Sequence, residues 1–219
     1  MTSSTDEAAA FVRANSALRR VPLVPEIRLH LADDVFGVWE AAERAQNGGE
    51  SELPPPFWAF AWAGGQALAR YVLDHPWLVA GRQVLDLGSG SGISAIAAAL
   101  AGGARVLASE VDPLAVAAIG LNAAAGQVSV EVTGDVLDGS GEGAAVILAA
   151  DVWYERTLAE RTLGLLRRAR ARGASVLVGD VGRAFLPGPT LRELAVYDVP
   201  VLAGLEDAEV KRASVLTLR

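Results

Sequence analysis

Val84-Leu85-Asp86-Leu87-Gly88-Ser89-Gly90-Ser91-Gly92 joins a buried-strand pattern to a helical one. In an open parallel sheet, ligands bind beyond the carboxyl ends of the strands, and glycines there let backbone approach a ligand with no Cβ in the way. A dinucleotide-binding turn would read G-x-G-x-x-G, its third glycine allowing close helix packing and its pyrophosphate lying on the helix N-terminus. Here that third position is Ile93, and the spacing is D-x-G-x-G-x-G with Asp86 leading. A carboxylate at that point repels linked phosphates but accepts hydrogen bonds from an ammonium. The loop therefore favours an adenosyl ligand with a cationic amino-acid tail, S-adenosylmethionine rather than NAD.

Other acidic residues support this. Glu110 ends the apolar run Val106-Leu107-Ala108-Ser109, where a carboxylate can take both ribose hydroxyls. Asp135, in Thr133-Gly134-Asp135-Val136, can accept from the adenine amino group. The expected cofactor contacts are thus Asp86, Gly88, Ser89, Gly90, Gly92, Glu110, Val111, Asp135 and Val136. Asp112-Pro113 reads instead as a helix N-cap and first helical residue. A lone glycine turn could serve packing alone, but the glycines and carboxylates together are hard to reach by chance. Asp151-Val152-Trp153-Tyr154-Glu155 follows a further apolar run, Ala145 to Ala150, so Asp151 emerges at another strand end beside the loop. Its alternative use is as N-cap of the helix beginning near Glu155.

The elements that must position these groups alternate from Gln83 onward. Strands are expected at 84–87, 105–110, 128–132, 145–150, 174–178, 194–199 and 212–218. Helices are expected at 93–100, 113–125 and 155–172. Ile93, Ile96, Ala97 and Leu100 fall at i, i+3, i+4 and i+7, as do Leu114, Ala117, Ala118 and Leu121. Such alternation means βαβ crossovers and a mostly parallel sheet covered on both faces. Before it, residues 5–20 read as a helix, 35–45 as another, 66–73 as a third, and Asn47 to Glu52 as a loop. The expected division is an N-terminal helical extension, residues 1–52, and one α/β domain, residues 53–219. Trp58 and Trp62, four apart, would share a helix face.

Composition narrows the classes. The 219 residues are 52% hydrophobic, enough for a full core. Without cysteine there is no thiol nucleophile, disulfide or cysteine zinc site, and the two histidines, His30 and His75, are too few for most metal-dependent hydrolysis. No metal site is expected. The net charge, 19 − 26 = −7, argues against broad nucleic-acid binding. Arg156, Arg161, Arg167, Arg168, Arg170 and Arg172 read as a solvated helix face, with a docking surface for an acidic partner or RNA as the sharper alternative. No apolar run reaches the roughly 18 residues of a membrane helix. The N-terminus shows no secretory pattern, so a cytoplasmic location is expected.

From Phe57 to Arg219 the chain resembles the class I, seven-stranded methyltransferases. Within them it is similar to the protein-lysine methyltransferases that include the electron transfer flavoprotein β-subunit lysine methyltransferases and their bacterial relatives. The residues that carry this are Pro55 to Trp62 with Gly64-Gly65-Gln66, the loop Asp86 to Gly92, and Asp151-Val152-Trp153-Tyr154. Gly179-Asp180, Gly182-Arg183, Leu186-Pro187 and Tyr197-Asp198-Val199-Pro200 also match. The resemblance implies a Rossmann-like sheet of order 3-2-1-4-5-7-6 with the seventh strand antiparallel. It also implies S-adenosylmethionine as cofactor, Trp62 as a wall of the adenosyl pocket, and a protein lysine as acceptor, with the flavoprotein β subunit the candidate. By the same resemblance, Asp151 and Tyr154 of the D-x-x-Y element position that lysine. A ribosomal protein or a small amine would be an alternative acceptor; an NAD-dependent oxidoreductase or a non-catalytic cofactor-binding module would be a different class.

Overall fold

The computed structural model describes residues 4–45, 55–139, 141, 143–201 and 209–219. Its N-terminal elements are α1 (Ser4–Ala14), β1 (Ala17–Arg20), β2 (Arg28–Leu31) and α2 (Val35–Ala45). Then come α3 (Ala63–Asp74), β3 (Gln83–Leu87), α4 (Ile93–Leu100), β4 (Arg105–Ser109), α5 (Pro113–Ala125), β5 (Glu131–Thr133) and β6 (Val146–Ala150). The chain continues through α6 (Arg156–Ala171), β7 (Ser175–Asp180), β8 (Leu191–Pro200) and β9 (Val210–Leu218).

Strands β3 to β9 form one sheet in the order β5-β4-β3-β6-β7-β9-β8, the 3-2-1-4-5-7-6 order expected. β3 pairs in parallel with β4 and β6, whereas β9 runs antiparallel to β7 and β8. The inner strands are buried nearly throughout, as a sheet covered on both faces requires. Val84, Leu148 and Val215 point to the side covered by α3 and α4, where Leu68, Val72 and Ile96 meet them. Leu85, Ile147 and Val176 point to the other side, against Leu165 and Leu166 of α6. Each of those leucines, fully buried, contributes about 1.5–3 kcal/mol. This packing fixes the strand ends, and so the loops that follow them.

The N-terminal segment departs from the helical expectation. α1 stops at Ala14, where the Asn15 side chain donates to Phe11 O at 2.9 Å. Leu18, Arg19 and Arg20 then lie in β1, paired antiparallel with β2 across the Pro22–Pro25 turn. Leu18 is exposed, so it never belonged to an apolar helical stripe; Val21, Leu29 and Leu31 instead enter the main core. The extension is therefore helix, hairpin and helix. It is tied to the rest by His30 N–H donating to Asn122 Oδ1 at 2.7 Å and Ala32 N–H donating to Ala59 O at 2.9 Å. The loop expected at 47–52 and the boundary between residues 52 and 53 lie outside the described residues.

Two further local readings change. The third sheet strand is short, 131–133 rather than 128–132, because only Glu131, Val132 and Thr133 reach the ladder of β4. Trp58 and Trp62 do not share a helix: Phe57–Ala59 make one 3-10 turn, Phe60 is extended, and α3 begins at Ala63. Trp58 is fully buried beside α1 and α5, while Trp62 is half-buried.

Candidate active site

The three alternating glycines have one physical explanation. Gly88, Gly90 and Gly92 all sit at positive φ, 59°, 54° and 83°. Space treats them differently. A Cβ on Gly88 would meet Val152 Cγ1 at 2.9 Å and one on Gly92 would meet Ile119 at 3.3 Å, whereas Gly90 has nothing nearer than 3.9 Å. The middle glycine thus leaves open room over the loop. Below it, Asp86 is buried and accepts from Ser89 Oγ at 2.5 Å. Burial pushes its carboxyl up to about 7, against the lowering effect of that hydrogen bond.

Glu110 closes over the same loop. One oxygen accepts from Gly90 N–H at 2.8 Å, the other from Val111 N–H at 2.7 Å and Asp112 N–H at 3.1 Å. Asp112 caps α5 through Leu114 N–H at 2.9 Å, as expected. Asp135 accepts from Leu137 N–H at 2.9 Å and pairs with Arg161 at 2.8 Å; these hold its carboxyl below the usual range. Arg161 and Arg168 are not simply solvated. Arg161 also pairs with Asp138, and Arg168 donates to Leu137 O and Gly139 O, so α6 grips the segment that carries Asp135.

Across the sheet, Asp151 follows β6 with φ at +56°, rare for a residue with a side chain. The turn aims its carboxylate at the N-terminus of α3, where Gly65 N–H donates to Oδ2 at 2.9 Å. Positive charge at a helix N-terminus favours that placement. Only a glycine at 64 allows it, because a Cβ there would lie 2.5 Å from Gly179 O and 2.6 Å from Asp151 Oδ2. Arg183 takes the other oxygen, Nε at 3.0 Å and Nη2 at 2.9 Å from Oδ1. Burial raises the Asp151 carboxyl to about 6, with Arg183 lowering it and Asp180 raising it. Asp151 is not the cap of α6. Glu155 is, accepting from Thr157 N–H at 2.7 Å and Leu158 N–H at 2.8 Å.

Aromatic side chains complete this end. The Tyr154 ring is half exposed and 5.1 Å from that of Phe57, and Trp62 Nε1–H donates to Phe57 O at 2.9 Å. Trp153 turns fully inward.

Both groups of residues line one cavity of about 480 Å³ at the carboxyl ends of β3, β4 and β6. Asp86, Gly88, Ser89, Gly90, Glu110, Val111, Asp135, Asp151, Tyr154 and Trp62 reach it; Gly92 and Val136 stand behind its wall, Val136 in the core beside α6. Sequence reasoning assigned no role to Gly65, Phe57 or Arg183. Gly179-Asp180 and Gly182-Arg183 carry the family resemblance, but nothing in them shows that Arg183 meets Asp151. The cavity therefore offers carboxylates and an open glycine loop at one end, and the Arg183-paired Asp151 with Tyr154, Phe57 and Trp62 at the other.

Comparison with known proteins bears on this geometry. Residues 67–153 match the family model for ribosomal protein L11 methyltransferase (PrmA). The chain is 38% identical over 189 residues to the electron transfer flavoprotein beta subunit lysine methyltransferase of Xenopus laevis, covering 84% of this chain and 75% of that protein. Against the protein of the same description from Danio rerio, identity is 36% over 207 residues, 91% of this chain and 78% of the other. A crystal structure of a putative RNA methyltransferase from Pyrococcus horikoshii superimposes with a TM-score of 0.56 at 15% identity, covering 82% of this chain and 98% of that one, a likeness of fold.

Proposed function

The chain belongs to the electron transfer flavoprotein beta subunit lysine methyltransferase family, and on that premise we propose that it methylates a protein lysine with S-adenosylmethionine. The candidate acceptor is the electron transfer flavoprotein β subunit. One observation carries the reading: the glycine loop with Asp86 and Glu110 shares a cavity with Asp151 and Tyr154. The residues present fit the cofactor. The cavity has the size of a small-ligand site, Gly90 leaves the loop open, and no cation among the described residues pairs with the buried Asp86 carboxyl. We assign Asp86 to the ammonium, Glu110 to the ribose, Asp135 to the adenine end and Trp62 to the pocket wall. S-adenosylmethionine supplies an electrophilic methyl group on a sulfonium.

Asp151 and Tyr154 orient the acceptor. The lysine amine must first lose a proton, since its reference pKa is near about 10.4 and only the free amine has a lone pair. With the cofactor bound, that lone pair, oriented by Asp151 and Tyr154, would form the new N–C bond as the C–S bond breaks and its electrons pass to sulfur. The proton then on nitrogen leaves to water. Orientation of this kind supplies much of the rate. We also assign residues 53–219 as the methyltransferase domain and 1–52 as its extension. No helix among the described residues is long and apolar enough to cross a membrane, and we propose the cytoplasm as the compartment.

The test is incubation of the protein with labelled cofactor and purified flavoprotein β subunit, followed by mass spectrometry. Label on a lysine of that subunit is expected. Label confined to a ribosomal protein or a small amine, when the source lysate is offered instead, would reassign the acceptor. Calorimetry showing tight binding of NAD and none of S-adenosylhomocysteine would overturn the reading altogether.

Asp86 gives this binding a pH signature. Its carboxyl sits near 7 in the free protein, while an ammonium partner requires the carboxylate. S-adenosylhomocysteine affinity is therefore expected to fall by about tenfold per pH unit below that value and to level off above it. Proton release on binding, read by calorimetry in two buffers, should appear in the same range. An affinity that is level across neutrality would remove Asp86 from the ammonium. The folded protein also holds the Asp86 proton more tightly than the unfolded chain. Its contribution to stability is thus fully present below the ordinary value of 3.8 and is lost as pH rises through about 7. Asp86→Asn should stabilise the free protein at neutral pH by on the order of 1–3 kcal/mol while weakening cofactor binding.

A further inference from the structure

Arg183 is held from three sides at the acceptor end of the cavity. The buried Asp180 builds the turn that delivers it, Oδ1 accepting from Gly182 N–H at 2.6 Å and Arg183 N–H at 2.7 Å. The guanidinium lies 5.4 Å over the Trp62 ring, and Trp62 is itself tied to Phe57 O. Its Nε and Nη2 both meet Asp151 Oδ1. Such a fixed side chain differs from an exposed surface ion pair, whose long side chains gain little by pairing. Among the described residues that line the cavity, the other cation is Arg161, already engaged by Asp135 and Asp138.

The position matters because of a conflict in the chemistry. A lone carboxylate attracts a lysine ammonium but also holds its proton, opposing release of the nucleophilic lone pair. An arginine on the same carboxylate cancels that field and leaves Asp151 able to accept an N–H. We infer that Arg183 is a positioning residue that neutralises Asp151, so that the pair receives the acceptor lysine as a neutral amine. Among the described residues, Asp180 from β7 also acts on Asp151, while Tyr154, after β6, is acted on by Arg183, by its neighbour Glu155 and by Glu110 from the end of β4. α3 contributes the Gly65 N–H. Apart from Arg183, none of these supplies a positive side-chain charge, so the balance rests on it. The inference builds on the proposed lysine methylation.

The test compares wild type, Arg183→Gln, which keeps a donor without the charge, and Arg183→Lys, which keeps the charge. With the flavoprotein β subunit as acceptor, the acid limb of kcat reports groups in the bound complex. In Arg183→Gln that limb should move about one pH unit or more to the alkaline side, an about tenfold loss of rate on the limb that is recovered at higher pH. Arg183→Lys should keep the wild-type limb. Independently of turnover, n-butylamine titrated by NMR into protein saturated with S-adenosylhomocysteine should bind wild type more tightly as pH rises, and Arg183→Gln with little pH dependence. An unmoved limb in Arg183→Gln, with the rate lowered equally at every pH, would leave Arg183 only structural. Wild-type binding of n-butylamine that does not strengthen with pH would equally overturn the inference. A wild type that labels no lysine at any pH would instead sink the methyltransferase reading, and the amine titration would still judge Arg183.

Discussion

Asp151→Asn is expected to lower lysine methylation at least about a hundredfold while leaving the affinity for S-adenosylhomocysteine nearly unchanged. The substitution conserves size, so the effect follows from hydrogen-bond sense. Both carboxylate oxygens accept, Oδ2 from Gly65 N–H and Oδ1 from two nitrogens of Arg183. An amide can satisfy one side only. Whichever way it turns, its NH2 group faces another donor, and an unsatisfied buried donor costs about 1–3 kcal/mol. The side chain then leaves the N-terminus of α3 or releases Arg183, and the anchoring of the acceptor that we propose for Asp151 is lost. Single-turnover kinetics beside calorimetry would separate rate from binding. Equal loss of both would move Asp151 into the group of residues that hold the cofactor.

Gly64→Ala should damage the fold and the reaction together. An exposed glycine in a helix is usually improved by alanine, by about 0.4–1 kcal/mol, because the unfolded chain loses freedom. Gly120 on α5 is such a position, with nothing within 4 Å of an added Cβ. At Gly64 the sign reverses. The new methyl would press on Gly179 O, a backbone atom of the central sheet, and on the Asp151 carboxylate. Relief requires α3 to lift from β7, an overpacking cost of about 1–3 kcal/mol. That movement also withdraws Gly65 N–H from Asp151. Thermal unfolding should show Gly120→Ala above wild type and Gly64→Ala below it, and methyl transfer should fall only in the latter. Equal stability of the two variants would mean that α3 and β7 are less tightly joined than these distances require.

The N-terminal extension shows where periodicity misleads. Leu18 extended an apparent apolar stripe beyond α1, and Arg19 and Arg20 suited a helix end. Strand pairing with Arg28–Leu31 outweighed those preferences because it buries Leu29 and Leu31 and satisfies both backbones. Trp58 and Trp62 mislead for a related reason. Their spacing fits a helix, yet the bend at Phe60 sends one indole into the core and leaves the other on the cavity wall.

What the residues determined alone was local. Alternating apolar runs set the β-α succession. Glycines at three positive-φ positions marked the turn from β3 into α4, and Asp112 before Pro113 marked the start of a helix. Family likeness added the strand order and the D-x-x-Y pair. Tertiary structure alone decided what Asp151 touches. Gly65 lies 86 residues before it and Arg183 32 residues after it, and neither separation leaves a pattern in the chain. Turns, caps and periodicities are written within a few residues, since their hydrogen bonds close over short loops. The charge balance around Asp151 instead arises where three distant segments meet at one sheet edge, and only the packed sheet brings them within reach.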